Sequence, residues 1–303
     1  MPTEAKPNLF IVGAQKSGTS ALAGWLRQHP QVFMSFPKEP GFLAFGESGY
    51  PYRDGHGKPA PASQYVVTDA RAYASLFADV PAQKRIIGEA STWYFGIPGV
   101  SRAIKSYNPL AKVIVILRDP IARAYSAWCH ARSDFLEPCD SFAAALALES
   151  ERGEVEFLLR YRHMGLYSSA LAEYQGLFSP AQLLVLFYED LHSNPPALWQ
   201  RVCTFLAIDP TVTPLFSQRY NRSGQPRNRI LHSLLRSHQL KRVVRSILPH
   251  SISMRLKQQV DNVNLAEFPV MDEGSRRELK AYYQRDIEQL SELTKRDLSA
   301  WLT

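Results

Sequence analysis

Short apolar segments alternate with amphipathic segments along much of the chain. Asn8–Gly13 is an apolar run that ends in glycine, a pattern typical of a buried strand that leads into a turn. The following segment, Ser20–His29, carries apolar residues at helical spacing and stops before Pro30. The chain is therefore predicted to begin with a strand, a loop and a helix.

The same alternation continues through the chain. It predicts strands at Arg85–Glu89, Lys112–Arg118 and Leu183–Tyr188, and helices at Ala122–Arg132, Phe142–Glu151, Pro195–Phe205 and Ser275–Thr303. Continuous apolar strands separated by helices are typical of an α/β fold, a parallel sheet with helices on both faces. No internal repeat divides the chain, so residues 1–303 are expected to form one domain, whose ligand binds at the carboxyl ends of the strands.

Composition narrows the class of protein. With 45% apolar and 21% charged residues the chain is typical of a globular protein, which excludes collagen-like and disordered classes. The longest aliphatic run, Val113–Leu117, is too short to span a membrane, and the N-terminus lacks a signal pattern, so a cytoplasmic location is expected. Cys129, Cys139 and Cys203 have neither zinc-site spacing nor the density of a disulfide framework.

Positive charge is concentrated in one segment. Residues 211–260 contain ten Lys or Arg and no acidic residue, which leaves 25 basic and 28 acidic residues in the rest of the chain. This segment indicates a local anionic partner, with phosphate, sulfate or nucleic acid as candidates. A solvated basic helix without a specific ligand is an equally simple interpretation of the charge alone.

The loop between the first strand and its helix, Gly13–Ser20, is rich in small residues. Such a loop directs backbone N–H groups and the positive end of a helix dipole at an anion, which predicts a P-loop-type phosphate site. It departs from the nucleotide-triphosphatase motif, because Thr19 stands where that motif has lysine and Lys16 lies in the middle of the loop. The loop is therefore expected to bind a nucleotide, but not ATP acting as a phosphoryl donor.

A second candidate phosphate site follows the predicted strand Lys112–Arg118. Arg118 ends the strand, and Ser126 lies eight residues later on the next helix. An arginine and a hydroxyl in this arrangement can bind a phosphate from one side. Two such sites imply a nucleotide with phosphates in two places, whereas an ion pair of Arg118 with Asp119 or Glu89 is the alternative interpretation.

These motifs together resemble a known enzyme family. Gln15–Thr19, Lys38–Phe42, and Leu117–Pro120 with the residues that follow it are similar to the sulfotransferases that use 3′-phosphoadenosine 5′-phosphosulfate (PAPS). The resemblance is strongest to the heparan-sulfate-type and related bacterial branch, and it continues through Gly88–Tyr94 and Phe187–Leu191. It implies the sulfotransferase fold, PAPS as cofactor and 3′-phosphoadenosine 5′-phosphate (PAP) as product.

The resemblance also implies roles for individual residues. The 5′-phosphosulfate would be held by Lys16, Ser17, Gly18, Thr19 and Ser20. The 3′-phosphate would be held by Arg118 and Ser126, with a closing basic loop that contains Arg222, Ser223, Gly224 and Arg227. Residues 211–260 would then be a cofactor-closing segment.

For catalysis the resemblance implies Glu39 as general base and Lys16 as the residue that stabilises the leaving phosphate. An ion pair between Glu39 and Lys38 is the alternative for that carboxylate, and His130 and His163 are alternative bases. No carboxylate spacing suggests a metal site.

The acceptor is left open by the sequence. Ala90 stands where relatives commonly carry a lysine, and the paired cysteines of secreted relatives are absent, which argues against a glycosaminoglycan. The loop or lid at residues 46–64 and the region 135–163 are expected to shape the acceptor pocket. Tyr50, Tyr52, Trp93, Tyr94 and Phe95 suggest an aromatic wall of this pocket, and packing in the core is the alternative for Trp93 and Phe95.

The resulting hypothesis is transfer of a sulfuryl group to a hydroxyl, or less readily to an amine, of a small-molecule, carbohydrate or lipid acceptor, with no nucleic-acid partner and no membrane span. A P-loop kinase and a basic nucleic-acid-binding module are the alternatives. The oligomeric state cannot be read from the sequence.

Overall fold

A parallel sheet forms the centre of the molecule. The computed structural model describes residues 5–217, 225–226, 265–266 and 268–303. The sheet contains five strands: β1 (Leu9–Gly13), β2 (Val32–Met34), β3 (Ile86–Ala90), β4 (Lys112–Leu117) and β5 (Leu183–Phe187). A separate antiparallel pair is formed by β6 (Gln225–Pro226) and β7 (Leu265–Ala266).

Helices connect and cover these strands. The α-helices within the described ranges are α1 (Thr19–Arg27), α2 (Phe42–Phe45), α3 (Ala70–Ser75), α4 (Val100–Tyr107), α5 (Pro120–Ser133), α6 (Phe142–Leu148), α7 (Ser168–Leu177), α8 (Tyr188–Ser193), α9 (Pro195–Leu206) and α10 (Glu273–Thr294). Short 3₁₀ helices lie at Gly46–Ser48, Pro61–Gln64, Thr92–Phe95, Glu149–Glu151, Glu154–Leu159, His163–Gly165 and Ser299–Leu302.

The strand order is β2-β3-β1-β4-β5, and all neighbouring strands of this sheet run parallel. Ile11 of β1 pairs with Ala90 on one side and with Ile114 on the other. The carboxyl ends of the strands therefore lie at one edge of the sheet, and the loops that leave them are neighbours.

Alternate residues of the central strand β1 face two different cores. Phe10 and Val12 pack in a core shared with α4, α5, α6, α7 and α10, whereas Leu9 and Ile11 pack in a core shared with α1 and α9. Each of these four side chains is fully buried. The prediction of a parallel sheet with helices on both faces is confirmed.

The element bounds predicted from the sequence are close to those observed, and the omissions have physical reasons. β2 has only three residues, too few for a period-two pattern to emerge. The buried positions of α7 include the polar Ser168 and the amphipathic Tyr174, so its apolar stripe is weak. The final helix was predicted to reach Thr303, but it ends at Thr294, where Lys295 takes a left-handed backbone conformation with φ of 54°.

The segment 46–64 is largely irregular, as expected for a loop, but its aromatic residues join the core. Tyr50 and Tyr52 pack their rings against Phe45 at centroid distances of 4.9 and 5.7 Å, and Trp93 packs in the same cluster. The aromatic residues of this loop therefore pack as part of the core, and its role as a lid stays a prediction. In the ranges that the structure describes, no helix is both long and apolar enough to cross a bilayer.

A buried carboxylate joins the C-terminal helix α10 to the start of α7. Asp286 accepts hydrogen bonds from the N–H groups of Tyr167 and Ser168, at 2.8 and 3.1 Å, and from the Ser168 hydroxyl. The first N–H groups of a helix have no partners within the helix, and its positive end favours a negative charge. Asp286 therefore acts as a cap supplied by another helix.

We expect Asp286→Asn to lower the free energy of unfolding by about 2 kcal/mol, because the charge that matches the α7 terminus is lost and one N–H is left without a carboxylate oxygen. Urea denaturation measures this change. Glu288→Gln, an exposed substitution on the same helix, is the matched control and should stay within about 0.5 kcal/mol of the parent. Equal effects of the two substitutions would contradict the capping role.

Candidate active site

The loop after β1 is held in an unusual backbone conformation. The N–H of Ala14 donates to the carbonyl of Ile116 at 2.7 Å, which fixes the start of the loop against β4. Lys16 has φ of 66°, a left-handed value that is rare for a residue with a side chain. Such strain is found at functional sites, where the surrounding structure holds it.

Gly18 has a left-handed backbone conformation and packs closely against α8, and both features favour a residue without a side chain. Its φ is 91°, and an added Cβ would lie 3.2 Å from both Leu191 and Tyr188 of α8. The loop is therefore packed closely against the segment that follows β5.

The end of this loop offers donors to an anion. Gly18 is the N-cap of α1, no side chain caps that helix, and its first turn has no acidic residue. The Ser17 hydroxyl is buried, Thr19 is 4% exposed and Ser20 is half-buried. A helix N-terminus with unpaired N–H groups and nearby hydroxyls fits a bound phosphate.

Arg118 lies directly beside this loop. Its Nη1 donates to the carbonyl oxygen of Lys16 at 3.0 Å, and its guanidinium lies 4.4 Å from the centroid of the Tyr188 ring. The loop after β1 and the end of β4 are thus brought together as predicted, through a contact between Arg118 and the loop backbone. Asp119 instead caps α5 by accepting from the N–H of Ile121 at 2.9 Å.

Ser126 lies on the helix α5, and the charge of Lys16 affects a thiol on the same helix. Ser126 is half-buried on α5, three residues before Cys129 and thus on the same side of the helix. Burial raises the pKa of the Cys129 thiol to about 11, and the positive charge of Lys16 opposes this shift. Arg222, Ser223, Gly224 and Arg227 lie outside the described residues.

Glu39 is held by the segment that follows β3. One carboxylate oxygen accepts from the N–H of Thr92 at 2.7 Å, the other accepts from the Thr92 hydroxyl at 3.1 Å, and Lys38 forms an ion pair with it. The side chain is 15% exposed and the backbone φ is 65°, again left-handed. The ion pair with Lys38 that the sequence suggested is therefore present in the structure, and the role of Glu39 as general base stays a prediction.

A second carboxylate, Glu89 at the end of β3, is completely buried. It accepts hydrogen bonds from the hydroxyls of Tyr73, Ser91 and Tyr94 at 2.7, 2.9 and 2.9 Å. Its pKa is raised to about 7: burial raises it most, the three hydroxyl donors lower it, and the negative charge of Glu39 adds a smaller increase. Desolvation thus outweighs the hydrogen bonds.

A cavity of about 250 Å³ lies next to these residues. Its lining includes Gln15 from the loop, Thr92, which is the partner of Glu39, and Phe95, Phe157 and His163. The helix α7 also lines it, through residues that include Glu173, whose carboxylate accepts from the Ser101 hydroxyl at 2.5 Å. A pocket with both apolar and polar walls, lined by the residue that binds a candidate base, is suited to a small ligand.

The two histidines considered as alternative bases lie in different places. His163 lines the cavity, and its pKa is lowered by burial and by Arg160. His130 lies on α5, where its Nδ1 is 3.9 Å from a carboxylate oxygen of Asp134. Of the aromatic residues expected at an acceptor wall, Phe95 lines this cavity, while Tyr94 is buried against Glu89 and the others pack in the cluster around Phe45.

The sequence missed two parts of the site. The α7 wall was missed because that helix was not predicted. The structural role of Glu89 was also missed, although a carboxylate at the end of the apolar run Ile86–Ile87–Gly88 was a usable signal, since buried carboxylates need several hydrogen-bond partners.

Comparison with known proteins identifies the family. The sequence profile of the sulfotransferase family matches residues 7–212. The chain belongs to the sulfotransferase family. Human bifunctional heparan sulfate N-deacetylase/N-sulfotransferase 2 is 30% identical over 227 residues, which cover 71% of this chain and 23% of that protein. Mouse carbohydrate sulfotransferase 15 is 31% identical over 249 residues, covering 67% of this chain and 44% of that protein.

A solved structure extends the similarity to nearly the whole chain. The crystal structure of a sulfotransferase from Alicyclobacillus acidocaldarius is 29% identical, with a TM-score of 0.76 over 99% of this chain and 100% of that one. The sulfotransferase domain from the curacin biosynthetic pathway shares the fold, with 17% identity and a TM-score of 0.54. The sulfotransferase fold predicted from the sequence is confirmed. Sulfotransferases use PAPS as sulfuryl donor, which agrees with the cofactor predicted from the sequence.

The raised pKa of Glu89 predicts a pH-dependent contribution to stability. In the unfolded chain this carboxyl ionises near 4.5, but in the folded sulfotransferase it ionises near 7. The folded state therefore holds an extra proton between these values, and the free energy of unfolding falls as pH rises from 4.5 to 7. Replacing Glu89 by Gln removes this titration.

We expect the difference in unfolding free energy between parent and Glu89→Gln to change by about 3 kcal/mol across that pH window, in the direction that disfavours the parent at high pH. Urea denaturation of both proteins at several pH values measures it. The charged and titratable groups around Glu89 (Tyr73, Tyr94, Tyr174 and Glu39) are common to both proteins, so their contributions largely cancel. A pH-independent difference would contradict the assignment.

Proposed function

We propose that this sulfotransferase transfers the sulfuryl group of PAPS to a hydroxyl of a small or carbohydrate acceptor, with Glu39 as general base. The observation that carries the proposal is the arrangement of three groups: the Lys16 loop, Arg118 in contact with that loop, and Glu39 bound to Thr92 beside a cavity. A phosphate-binding loop, a second cation and a carboxylate base are the groups that this reaction requires.

The residues proposed to hold PAPS follow the two ends of the nucleotide. Lys16, Ser17, Gly18, Thr19 and Ser20 would hold the 5′-phosphosulfate at the N-terminus of α1, and Arg118 and Ser126 would hold the 3′-phosphate. The uncapped N-terminus of α1 supports the first assignment. The contact of Arg118 with the loop supports the second, since it keeps a cation beside the first site. Arg222, Ser223, Gly224 and Arg227 stay proposals from the family resemblance.

Bound PAPS supplies the sulfuryl group, and the bond from sulfur to the 5′-phosphate breaks as the acceptor oxygen forms its bond to sulfur. Glu39 would take the proton of the acceptor hydroxyl, and the hydrogen bonds from Thr92 would fix the orientation of its carboxylate. The ammonium of Lys16 and the N–H groups of the loop would stabilise the negative charge that gathers on the leaving phosphate.

The acceptor is proposed to enter the cavity lined by Gln15, Thr92, Phe95 and Phe157. A volume of about 250 Å³ suits one sugar or aromatic ring. The similar proteins named above carry heparan sulfate and carbohydrate in their names, which favours a carbohydrate acceptor. The chain spans less than half the length of these curated relatives, so its acceptor is not carried over from them.

The single domain at 1–303, the closing role of residues 211–260 and the cytoplasmic location stay predictions. Membership in the sulfotransferase family disfavours the kinase and nucleic-acid alternatives.

Binding of PAP tests the proposed cofactor site. We expect PAP to bind without metal, and Lys16→Ala and Arg118→Ala each to weaken binding about 10- to 100-fold, because each substitution removes a charged contact to phosphate. Calorimetric titration with PAP and, in parallel, with ATP and magnesium measures these affinities.

The matched control is Lys105→Ala. Lys105 hydrogen-bonds to the Pro109 carbonyl and the Gln182 side chain, near the amino ends of β4 and β5 and thus at the opposite edge of the sheet. Its substitution should leave PAP binding unchanged. Tight binding of ATP with magnesium in place of PAP would contradict the proposal.

Transfer activity tests the base. We expect Glu39→Gln to lower the rate of sulfuryl transfer by about 10²- to 10⁴-fold while PAP binding is retained, because the amide cannot accept the hydroxyl proton. The parent and the variant are incubated with labelled PAPS and fractionated cell extract, and products heavier by one sulfuryl group are quantified by mass spectrometry. His130→Asn is the control and should keep the parent rate. Loss of activity in the control with retention in Glu39→Gln would reverse the assignment.

A further inference from the structure

The turn that carries Glu39 is hydrogen-bonded to the end of β3 and to the segment that follows it. The N–H of Glu39 donates to the carbonyl of Ala90 at 2.9 Å, and the N–H of Thr92 returns a bond to the Glu39 carboxylate. Two further bonds hold the turn beyond Glu39: the N–H of Gly41 donates to the Ser91 hydroxyl and that of Leu43 donates to the Tyr94 hydroxyl, both at 3.0 Å.

The two hydroxyls that hold the turn share one partner. Ser91 donates its proton to Oε2 of Glu89 at 2.9 Å, and Tyr94 donates its proton to Oε1 of the same carboxylate at 2.9 Å. A hydroxyl has one proton and two lone pairs. When both protons point at Glu89, the lone pairs are left to accept the N–H groups of Gly41 and Leu43.

The turn needs such restraint. Glu39 and Gly41 both have left-handed φ values, 65° and 67°, and the first of these is unfavourable for a residue with a side chain. A conformation of this kind persists only where neighbouring groups hold it. The Ser91 and Tyr94 hydroxyls lie immediately beyond the strained residues, where they can prevent the turn from relaxing.

We propose that Glu89 is a positioning residue for Glu39: its buried carboxylate orients the hydroxyls of Ser91 and Tyr94, and these hydroxyls hold the left-handed turn that presents the Glu39 carboxylate to Thr92, a residue that lines the cavity. The proposal deepens the proposed function and rests on Glu39 as the base. Glu89 is fully buried, and it is not one of the residues that line the cavity. It therefore acts on Glu39 through the turn.

Amide hydrogen exchange followed by NMR at pH 8 tests this proposal in the full chain without an acceptor. In Glu89→Gln, exchange of the Gly41 and Leu43 amides is expected to speed up about tenfold, the size of one net hydrogen bond, because the Gln side chain cannot accept both hydroxyl protons. Amides in the centre of the sheet, such as Val115, are expected to keep the parent protection.

Removal of one hydroxyl at a time separates the contribution of Ser91 from that of Tyr94. Ser91→Ala is expected to speed exchange at Gly41 alone, and Tyr94→Phe at Leu43 alone. At Gly41 the double variant Glu89→Gln with Ser91→Ala should equal Ser91→Ala, because Glu89 acts there only through the serine hydroxyl.

The matched control is Tyr73→Phe. Tyr73 also donates to Glu89, at 2.7 Å, and its ring stacks on Phe42 at 4.5 Å, but its hydroxyl makes no hydrogen bond to the turn. Phenylalanine keeps the ring, so both turn amides should retain the parent exchange rates. Glu89→Asp, which keeps the charge but withdraws the carboxylate by one methylene, should show the same paired effect as Glu89→Gln and serves if that variant does not fold.

Unchanged exchange at Gly41 and Leu43 in both Glu89 variants would overturn the proposal, and so would an equal loss of protection at Val115, which marks a general structural role. PAP affinity in Glu89→Gln is expected to stay within about twofold of the parent, since the cofactor groups lie on other strands. Failure of the parent to bind PAP would instead count against the proposed function, so the two failures are distinguishable.

Discussion

The parallel register of the five strands is the constraint on which the candidate site depends. Each strand ends at the same edge, and each contributes to the group of contacts found there. β1 leads to Lys16, β3 to Thr92, β4 to Arg118 and β5 to Tyr188. The chain that follows β2 brings Glu39 to the same edge through its bonds to Ala90 and Thr92. Residues far apart in sequence thereby form one site.

Further contacts hold the site residues at this edge in place. Arg118 bonds to the backbone of the Lys16 loop and stacks on Tyr188, while Tyr188 also packs against Gly18. The C-terminal region supports this layer, because Arg296 forms a two-point ion pair with Asp190 of α8. On the other side of β1, the buried Glu89 organises the hydroxyls that hold the turn of Glu39. The charged residues of the site, Lys16, Arg118 and Glu39, are thus partly exposed, and buried polar groups hold the segments that carry them.

Much of this arrangement follows from the sequence, and the limits are physical. The apolar runs of β1, β4 and β5 predict buried parallel strands, and parallel strands predict that Lys16 and Arg118 lie at one edge. The contact of Arg118 with the Lys16 carbonyl, in contrast, depends on the left-handed turn at Lys16, which no local pattern encodes. The same holds for Glu89, whose three hydroxyl donors come from α3 and from the segment after β3. The cavity was incomplete in the prediction because the polar and amphipathic face of α7 hides that helix.

The central claim is that the loop after β1 and the arginine at the end of β4 bind opposite ends of one doubly phosphorylated adenosine. A crystal structure of the chain with PAP tests it most directly. The account predicts the 5′-phosphate at the N-terminus of α1, within hydrogen-bond distance of the Lys16–Ser20 loop, and the 3′-phosphate against Arg118 and Ser126. PAP bound elsewhere, or bound with Lys16 and Arg118 turned away from its phosphates, would contradict the account.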